Sequence, residues 1–448
     1  MSTLPARFVL ATCLAFASIA FAESRELQRL RISTCRQDSE ADGTWRQYHG
    51  PTGDRRGGGE IALTSWPEDG PPVAWRVETN AGFSSFAVAE GRAYTLVLRK
   101  VDGKSREVCV ALDLSSGKEL WASAPMAAPD YDGGGDAGAG ENKGGDGPRS
   151  TPSVVDGRVH VLDANLGLYA FDAATGETLW RQDLVRDFDG RNIRWQSAAS
   201  PLIEGEHVLV AGGGKGRSLL AFHRATGEPV WGTADETMTH ATPVAATIHG
   251  LRQVIFLVQS GLVAVDPQTG DELWRAQYPY STSSAASPVV SGDLVYVSAG
   301  YGVGAGLFRV QREEAGLAAE LVWQQRNKLI NHWSTPVCVD GYLYGMFSFK
   351  KYGEGPLCCV RLSDGETMWS RDGFGPGNVI LVGDTVVALA DSGEVVLVET
   401  TPQSYREVAR ADVLEGKCWS SPSFAAGQLY LRSTTEGVRL DLSARMGE

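Results

Sequence analysis

The 448-residue chain is short of basic residues: 41 Lys and Arg stand against 54 Asp and Glu, a net charge of −13. Nucleic-acid binding needs a basic footprint, so that class of partner is excluded. Long apolar runs are also missing. Residues 8–20 form the one predominantly apolar stretch of note, too short to span a bilayer, so no transmembrane segment is expected. Cysteine is sparse, seven in all, with no Cys-x-x-Cys pair and no haem-attachment site. The seven histidines include no i, i+4 pair of the kind a helical zinc site uses.

What is present begins with an export signal. Arg7 supplies the positive charge, residues 8–20 the apolar core and Ala20-Phe21-Ala22 a small-x-small cleavage site. Leu10-Ala11-Thr12-Cys13 has the loose form of a lipoprotein box. Cys13 lies inside the apolar core, however, and Thr12 is a poor residue before it, so the mature protein is expected to be exported and soluble, in the periplasm or outside the cell. Six cysteines remain after cleavage; disulfides are permitted in that compartment, but nothing identifies partners. Residues 1–22 are thus read as signal peptide and 23–72 as a loose lead-in, with a short helix over 25–36.

From there a tryptophan returns behind one short signature, small–apolar–Asp-x-x-Thr/Ser-Gly-x-x-x-Trp. It runs from Ala111-Leu112-Asp113 to Gly117 and Trp121, and from Ala170-Phe171-Asp172 to Gly176 and Trp180. It returns from Ala221-Phe222-His223 to Gly227 and Trp231, and from Ala264-Val265-Asp266 to Gly270 and Trp274. Gly365 and Trp369 close a fainter copy, and Trp323 and Trp75 close degenerate ones. A period of about 40–50 residues is the signature of a propeller or array. A Ser/Thr-Pro marker precedes each apolar run, at Thr151-Pro152, Ser200-Pro201, Thr242-Pro243, Ser287-Pro288, Thr335-Pro336 and Ser421-Pro422. Tight turns such as Asp156-Gly157 and Asp340-Gly341 follow, flanked by β-branched residues, which is hairpin chemistry. Each repeat therefore predicts a four-stranded antiparallel blade, and the tryptophan is expected to pack between neighbouring blades.

Eight blades follow: six from the markers, one from Phe83-Ser84-Ser85 and one near Gly377-Asn378-Val379, where the marker is lost. The blade starting at Ser421 runs out of chain before any Trp, so Val73-Ala74-Trp75-Arg76-Val77 is expected to supply its outer strand and close the ring. The fold class is all-β, an eight-bladed β-propeller over residues 73–448.

The repeat resembles the tryptophan-docking motif of propellers related to pyrroloquinoline quinone (PQQ) enzymes, from about Trp45 to Leu442. Trp45-Arg46-Gln47-Tyr48-His49-Gly50-Pro51 is similar to a lead-in of exported bacterial members. The resemblance implies the architecture more than the function, because the family holds quinoprotein alcohol dehydrogenases, an outer-membrane assembly lipoprotein and members of other roles.

A propeller binds ligands at the mouth of its central channel, where the inner strands begin. Three positions before each marker proline stand Arg149, Ala198, His240, Ala285, Trp333 and Trp419, with Phe83 equivalent in the first blade; Trp195, Asn331, His332 and Lys417 lie close by. Flat aromatic surfaces beside cationic or switchable donors suit an anionic, planar or sugar-like ligand. Arg149, Trp195, His240, His332, Trp333, Lys417 and Trp419 are the candidate ligand-binding residues; the alternative is that the rings merely fill a narrow channel. The enzymatic members are implied to hold PQQ with Ca²⁺ on carboxylate and amide oxygens, beside a carboxylate base and under a disulfide between adjacent cysteines. The mouth positions here offer no Asp or Glu, and only Asn331 an amide oxygen, so no catalytic residue, metal or cofactor is assigned. Cys358-Cys359 has the adjacency, but Cys359 falls where Ala111, Ala170, Ala221 and Ala264 stand inside a strand, so the two side chains are expected to diverge.

Two further segments have nucleotide- or metal-like composition. Asp130, Asp132, Asp136 and Glu141, with Gly135, have calcium-loop spacing, but Gly134 stands at the fifth position without flanking helices, and the stretch reads as a flexible surface loop. The run Gly212-Gly213-Gly214-Lys215-Gly216 lacks P-loop spacing and reads as a hairpin turn. The first function expected is an exported, non-catalytic binding or scaffolding propeller, taking a small molecule, glycan or envelope protein. The alternatives are a PQQ-dependent alcohol or sugar dehydrogenase and an outer-membrane protein assembly factor that binds unfolded strands by edge pairing.

Overall fold

Proline has no N–H to give to a ladder, so it suits the position just before a strand begins. In the computed structural model, which describes residues 43–129, 147–282, 284–347, 349 and 351–443, an innermost strand follows directly on each marker proline or starts within a residue of it. The inner strands of blades 1 to 8 are Ala87–Ala89, Ser153–Val155, Leu202–Glu204, Val244–Ile248, Val289–Ser291, Val337–Val339, Asn378–Val382 and Ser423–Ala425. Three antiparallel strands follow outward in sequence order in blades 1 to 7. In blade 2 they are Arg158–Leu162, Gly167–Asp172 and Thr178–Asp183. Blade 8 has two, and its outer strand is Val73–Glu78, antiparallel to Glu436–Asp441 with Trp75 opposite Arg439. The ring is closed from the opposite end of the chain, as the truncated last repeat predicts. The described residues hold one short helix, Leu184–Asp187.

The docking signature has a direct physical basis. The Asp carboxylate turns the chain by accepting backbone N–H groups two and three residues on: Asp172 Oδ1 takes Ala174 N and Thr175 N, both at 2.9 Å. The glycine after it has a positive φ and no side chain, so the indole of the preceding blade lies against it. Trp121, Trp180 and Trp231 stack on Gly176, Gly227 and Gly270 of the next blade, and Trp75 on Gly117. Their indole N–H groups then donate to a carbonyl of that turn, Trp121 to Ala173 O at 3.0 Å and Trp75 to Leu114 O at 3.0 Å. Trp323 and Trp369 make the same bond, to Leu362 O and Thr401 O.

One joint departs from the pattern. Blade 5 has no docking turn; its third and fourth strands, Gly304–Glu313 and Gly316–Gln325, each run ten residues. Trp274 of blade 4 instead donates to Gln253 Oε1 of its own blade and packs with Leu317 and Ala319 of that long hairpin. Cys358 and Cys359 diverge as expected, one into the core between blades 5 and 6 and the other into the core between blades 6 and 7. The Gly212–Gly216 run does connect two paired strands of blade 3. The signal peptide, the helix over 25–36 and the calcium-like spacing over 130–141 lie outside the described residues.

The lead-in is not loose from residue 43 onward. Trp45 and Val88 exchange backbone hydrogen bonds at 2.7 Å, Arg46 O accepts from Val154 N at 2.8 Å, and Arg56–Gly57 pair in parallel with Leu381 and Val382. The His49 ring lies near the backbone of Thr242, and Arg56 donates to Cys338 O. Residues 43–57 therefore occupy the central channel, touching the inner strands or markers of blades 1, 2, 4, 6, 7 and 8. The correction has a simple cause: inner strands present unpaired backbone edges to the channel. The lead-in supplies groups for them, and Trp45 is fully buried in doing so.

Candidate functional site

The markers do more than start strands. At five joints a marker's backbone N–H donates to the next blade's marker hydroxyl, beginning with Ser85 to Thr151 at 3.0 Å, Thr151 to Ser200 at 2.9 Å and Ser200 to Thr242 at 2.9 Å, while between blades 4 and 5 the Ser287 hydroxyl donates to Thr242 O at 2.8 Å. Ser287 to Thr335 at 3.0 Å and Ser421 to Ser85 at 2.7 Å continue the girdle. It fails where blade 7 has lost its marker, and there the channel segment intervenes. Arg55 donates to Val379 O of blade 7 at 2.6 and 3.1 Å and to Ser421 Oγ of blade 8 at 2.7 Å. The mouth lies beyond this girdle, built from the loops that enter inner strands and those that join second to third strands.

Blade 7 begins with Gly375-Pro376-Gly377 in place of a bulky residue. The rings on either side of it meet: Trp333 of blade 6 and Trp419 of blade 8 stack at 4.7 Å with planes 28° apart. Phe83 of blade 1 stacks on Trp419 at 5.2 Å, and Tyr352 lies against Trp419 at 5.5 Å, only 10° from parallel. Trp333 is fixed by its indole N–H on Pro376 O at 2.9 Å, and the Trp419 carbonyl accepts from Asn378 Nδ2 at 2.7 Å. His332 continues the surface edge-on to Tyr301 and Phe349. All three stacked mouth residues, Phe83, Trp333 and Trp419, are half-buried.

Cationic groups stand beside the rings. His240 is pushed down to about 3, first by burial, then by the Arg149 charge, with a smaller push from His332. Its neutral ring holds Gln196 O through Nε2 at 2.8 Å. Arg149, His240 and His332 thus share one electrostatic neighbourhood. Trp195 carries the Arg194 guanidinium over its face at 5.8 Å. Lys417 is tied through its backbone, N to Thr434 Oγ1 at 3.3 Å and O from Thr434 N at 3.2 Å. Ala285 contributes its N–H to His332 O at 2.8 Å.

Asn331, which sequence singles out as an amide donor to a metal, is fully buried and spent. Its Oδ1 accepts the Tyr296 hydroxyl at 2.8 Å and its amide donates to Met346 O at 2.8 Å. Among the described residues no group of three His, Cys, Asp or Glu is arranged to hold a metal ion. With Cys358 and Cys359 in separate cores as well, the residues present do not fit a calcium-bound quinone under a vicinal disulfide.

The repeat reading misses Tyr301, Phe349, Tyr352 and Asp391, which lie in loops between second and third strands. The Asp391 carboxylate accepts from Gly353 N at 3.0 and 3.2 Å and so anchors the loop carrying Tyr352. One signal was available: residues 347–356 form the longest such connection among the described residues, rich in aromatics and lysine.

The fold is an eight-bladed propeller joined by docked tryptophans, with Phe83, Trp333, Tyr352 and Trp419 stacked where the inner strands of blades 6 to 8 and blade 1 are entered. The chain belongs to the PQQ-like β-propeller family: the family model described as outer membrane protein assembly factor BamB matches residues 104–371. It is 25% identical over 263 residues to tetrathionate hydrolase of Acidithiobacillus ferrooxidans, covering 59% of this chain and 44% of the relative. It is 25% identical over 241 residues to BamB of Shewanella oneidensis, covering 50% and 56%. The chain thus spans about half the length of these relatives. Among solved structures, quinohemoprotein alcohol dehydrogenase of Comamonas testosteroni superposes with a TM-score of 0.62 at 14% identity, over 93% of this chain and 83% of that one. That likeness is one of fold. No helix of the described residues is long and apolar enough to cross a membrane.

Proposed function

We propose that the chain is an exported, non-catalytic binding propeller that seats an anionic, planar or sugar-like ligand at the channel mouth. The observation that carries this reading is the position of Trp419, stacked with Phe83, Trp333 and Tyr352 while still half-buried. Aromatic faces kept at an opening, beside Arg149 and His332, supply the few oriented polar groups and the flat apolar surface that such sites use. Tryptophan emission and melting temperature test this reading, with PQQ, a neutral hexasaccharide and an anionic hexasaccharide as probes. A probe that quenches emission and raises the melting temperature should lose both effects in Trp419→Ala and Arg149→Ala. A probe whose affinity those variants leave unchanged overturns the assignment.

A second reading, an assembly factor for outer-membrane proteins, is supported by the outer strands. The residue before the docking tryptophan is an exposed aliphatic in several blades: Leu120, Leu179, Val230 and Val322 are each more than 40% exposed. These lie on edge strands, whose free backbone groups can pair with an added strand. An extended β-strand peptide that protects outer-strand amides from hydrogen exchange would favour this reading; unchanged exchange would remove it.

A further inference from the structure

The girdle of marker hydroxyls shows what the channel segment does beyond filling space. Blade 7 has no Ser or Thr at the marker position, so the girdle link from marker N–H to marker hydroxyl is missing there, and its own tie to blade 8 is the Asn378 amide on the Trp419 carbonyl at 2.7 Å. Arg55 stands in that gap, 1% exposed, with its guanidinium on Val379 O and Ser421 Oγ. Its own carbonyl accepts from Leu381 N at 3.0 Å, so backbone and side chain both grip the same strand. The two strands it joins carry the supports of the aromatic stack. Asn378, next to Val379, holds the Trp419 carbonyl; Trp419 lies two residues before Ser421; and Pro376 receives the Trp333 indole N–H.

We propose that Arg55 is a positioning residue for the mouth: reaching the girdle from within the channel, it sets the spacing of blades 7 and 8 and thereby the stacking of Trp333 on Trp419. The guanidinium suits this task because its planar fork donates to a carbonyl and a hydroxyl at once, which a lysine ammonium cannot match in geometry. The channel segment is thus part of the binding site although none of it lies among the mouth rings. The inference rests on the mouth reading for its importance to ligand binding, but not for its geometry.

The experiment keeps those two apart. Two stacked indoles give an exciton couplet in far-ultraviolet circular dichroism, and Trp333 with Trp419 is the one stacked indole pair among the described ring contacts. Trp333→Phe, which removes one indole, identifies the couplet. Arg55→Lys and Arg55→Met in the full chain are expected to shrink it at least twofold and to raise acrylamide quenching of tryptophan emission. Ser421→Ala, which deletes one acceptor and keeps Arg55, gives a smaller change in the same direction and guards against a variant that fails to fold. Any probe that binds the mouth should weaken about tenfold in Arg55→Lys. An unchanged couplet in folded Arg55→Lys and Ser421→Ala overturns the proposal. A reduced couplet in a protein that binds none of the probes upholds the positioning role and counts instead against the mouth reading.

Discussion

Trp333 and Trp419 belong to blades 6 and 8, with a whole blade between them, yet their rings lie 4.7 Å apart. Blade 7 allows this because its inner strand is entered through Gly375-Pro376-Gly377, which puts no side chain of size between the flanking rings. Loss of a repeat marker at one blade has become an aromatic surface shared by its two neighbours.

Trp419 contacts three rings and Trp333 fewer of the stacked set, so the two are unequal. Trp419→Ala should remove probe binding, whereas Trp333→Phe should keep most of it, because a phenyl ring still offers a face to Trp419. Neither position is deep in a blade, so melting temperature should fall by only a few degrees, on the order of 1 kcal/mol. Isothermal titration beside a melting curve separates the effects; equal loss of binding in both variants contradicts the hierarchy.

The docking joints are stricter. A Cβ at Gly176 would stand 2.5 Å from the Trp121 ring on a backbone with φ of 76°, while one at Gly157, with φ of 69°, meets nothing within 4 Å. Gly157→Ala therefore carries only the left-handed strain, roughly 1–2 kcal/mol. Gly176→Ala adds the displacement of a buried indole and should cost about 3 kcal/mol or more, in the range of core overpacking plus strain. Urea unfolding of the two variants gives the comparison, and equal midpoints would mean that Trp121 is not held against the turn.

How much of this was readable follows from what repeats and what does not. The blade count, the register of Trp121, Trp180, Trp231, Trp274 and Trp369 opposite Ala or Cys, and the closure by Val73–Glu78 all come from signals copied along the chain. That Phe83, Trp333 and Trp419 stand together was legible because they share one position in the repeat. Tyr352 and Asp391 were not, since loops between second and third strands vary in length and have no register to count from. Trp45 to Pro51 is distinctive in sequence, but its destination depends on the free inner edges of other blades. Those edges exist only once the ring has formed.

Acid should destabilise the protein through buried neutral histidines. His160 is fully buried, its ring N–H on Arg224 O at 2.9 Å, and it is pushed down to about 4, chiefly by burial. Between the ordinary value near 6.5 and about 4 the unfolded chain takes up a proton that the folded chain refuses, so stability falls as pH falls through that window. Asp163 works in the opposite sense: burial raises it to about 7, so the folded state binds a proton that the unfolded chain does not, and acidification from pH 7 favours folding at that site. His160→Gln retains a donor for the carbonyl and cannot titrate. Its stability should decline less than the parent's between pH 6.5 and 4.5, by about 2 kcal/mol. Parallel pH–stability curves for variant and parent would show that His160 is not held neutral.

The joint between blades 4 and 5 makes the last prediction. Trp274 is 3% exposed and, lacking a docking turn in the next blade, gives its indole N–H to Gln253, itself fully buried. Gln253→Ala leaves that N–H without an acceptor in a dry core and removes the amide that filled the space. An orphaned buried donor costs about 1–3 kcal/mol, and the cavity adds to it. Trp274→Phe removes the donor together with the indole, so the double variant Gln253→Ala with Trp274→Phe should lose less than the sum of the two single losses. At the standard joints the acceptor is a backbone carbonyl, which no side-chain substitution deletes, so this non-additivity belongs to blade 4 alone among the docked tryptophans. A double-mutant cycle by denaturant unfolding measures it, and strict additivity would separate Gln253 from the energetics of Trp274.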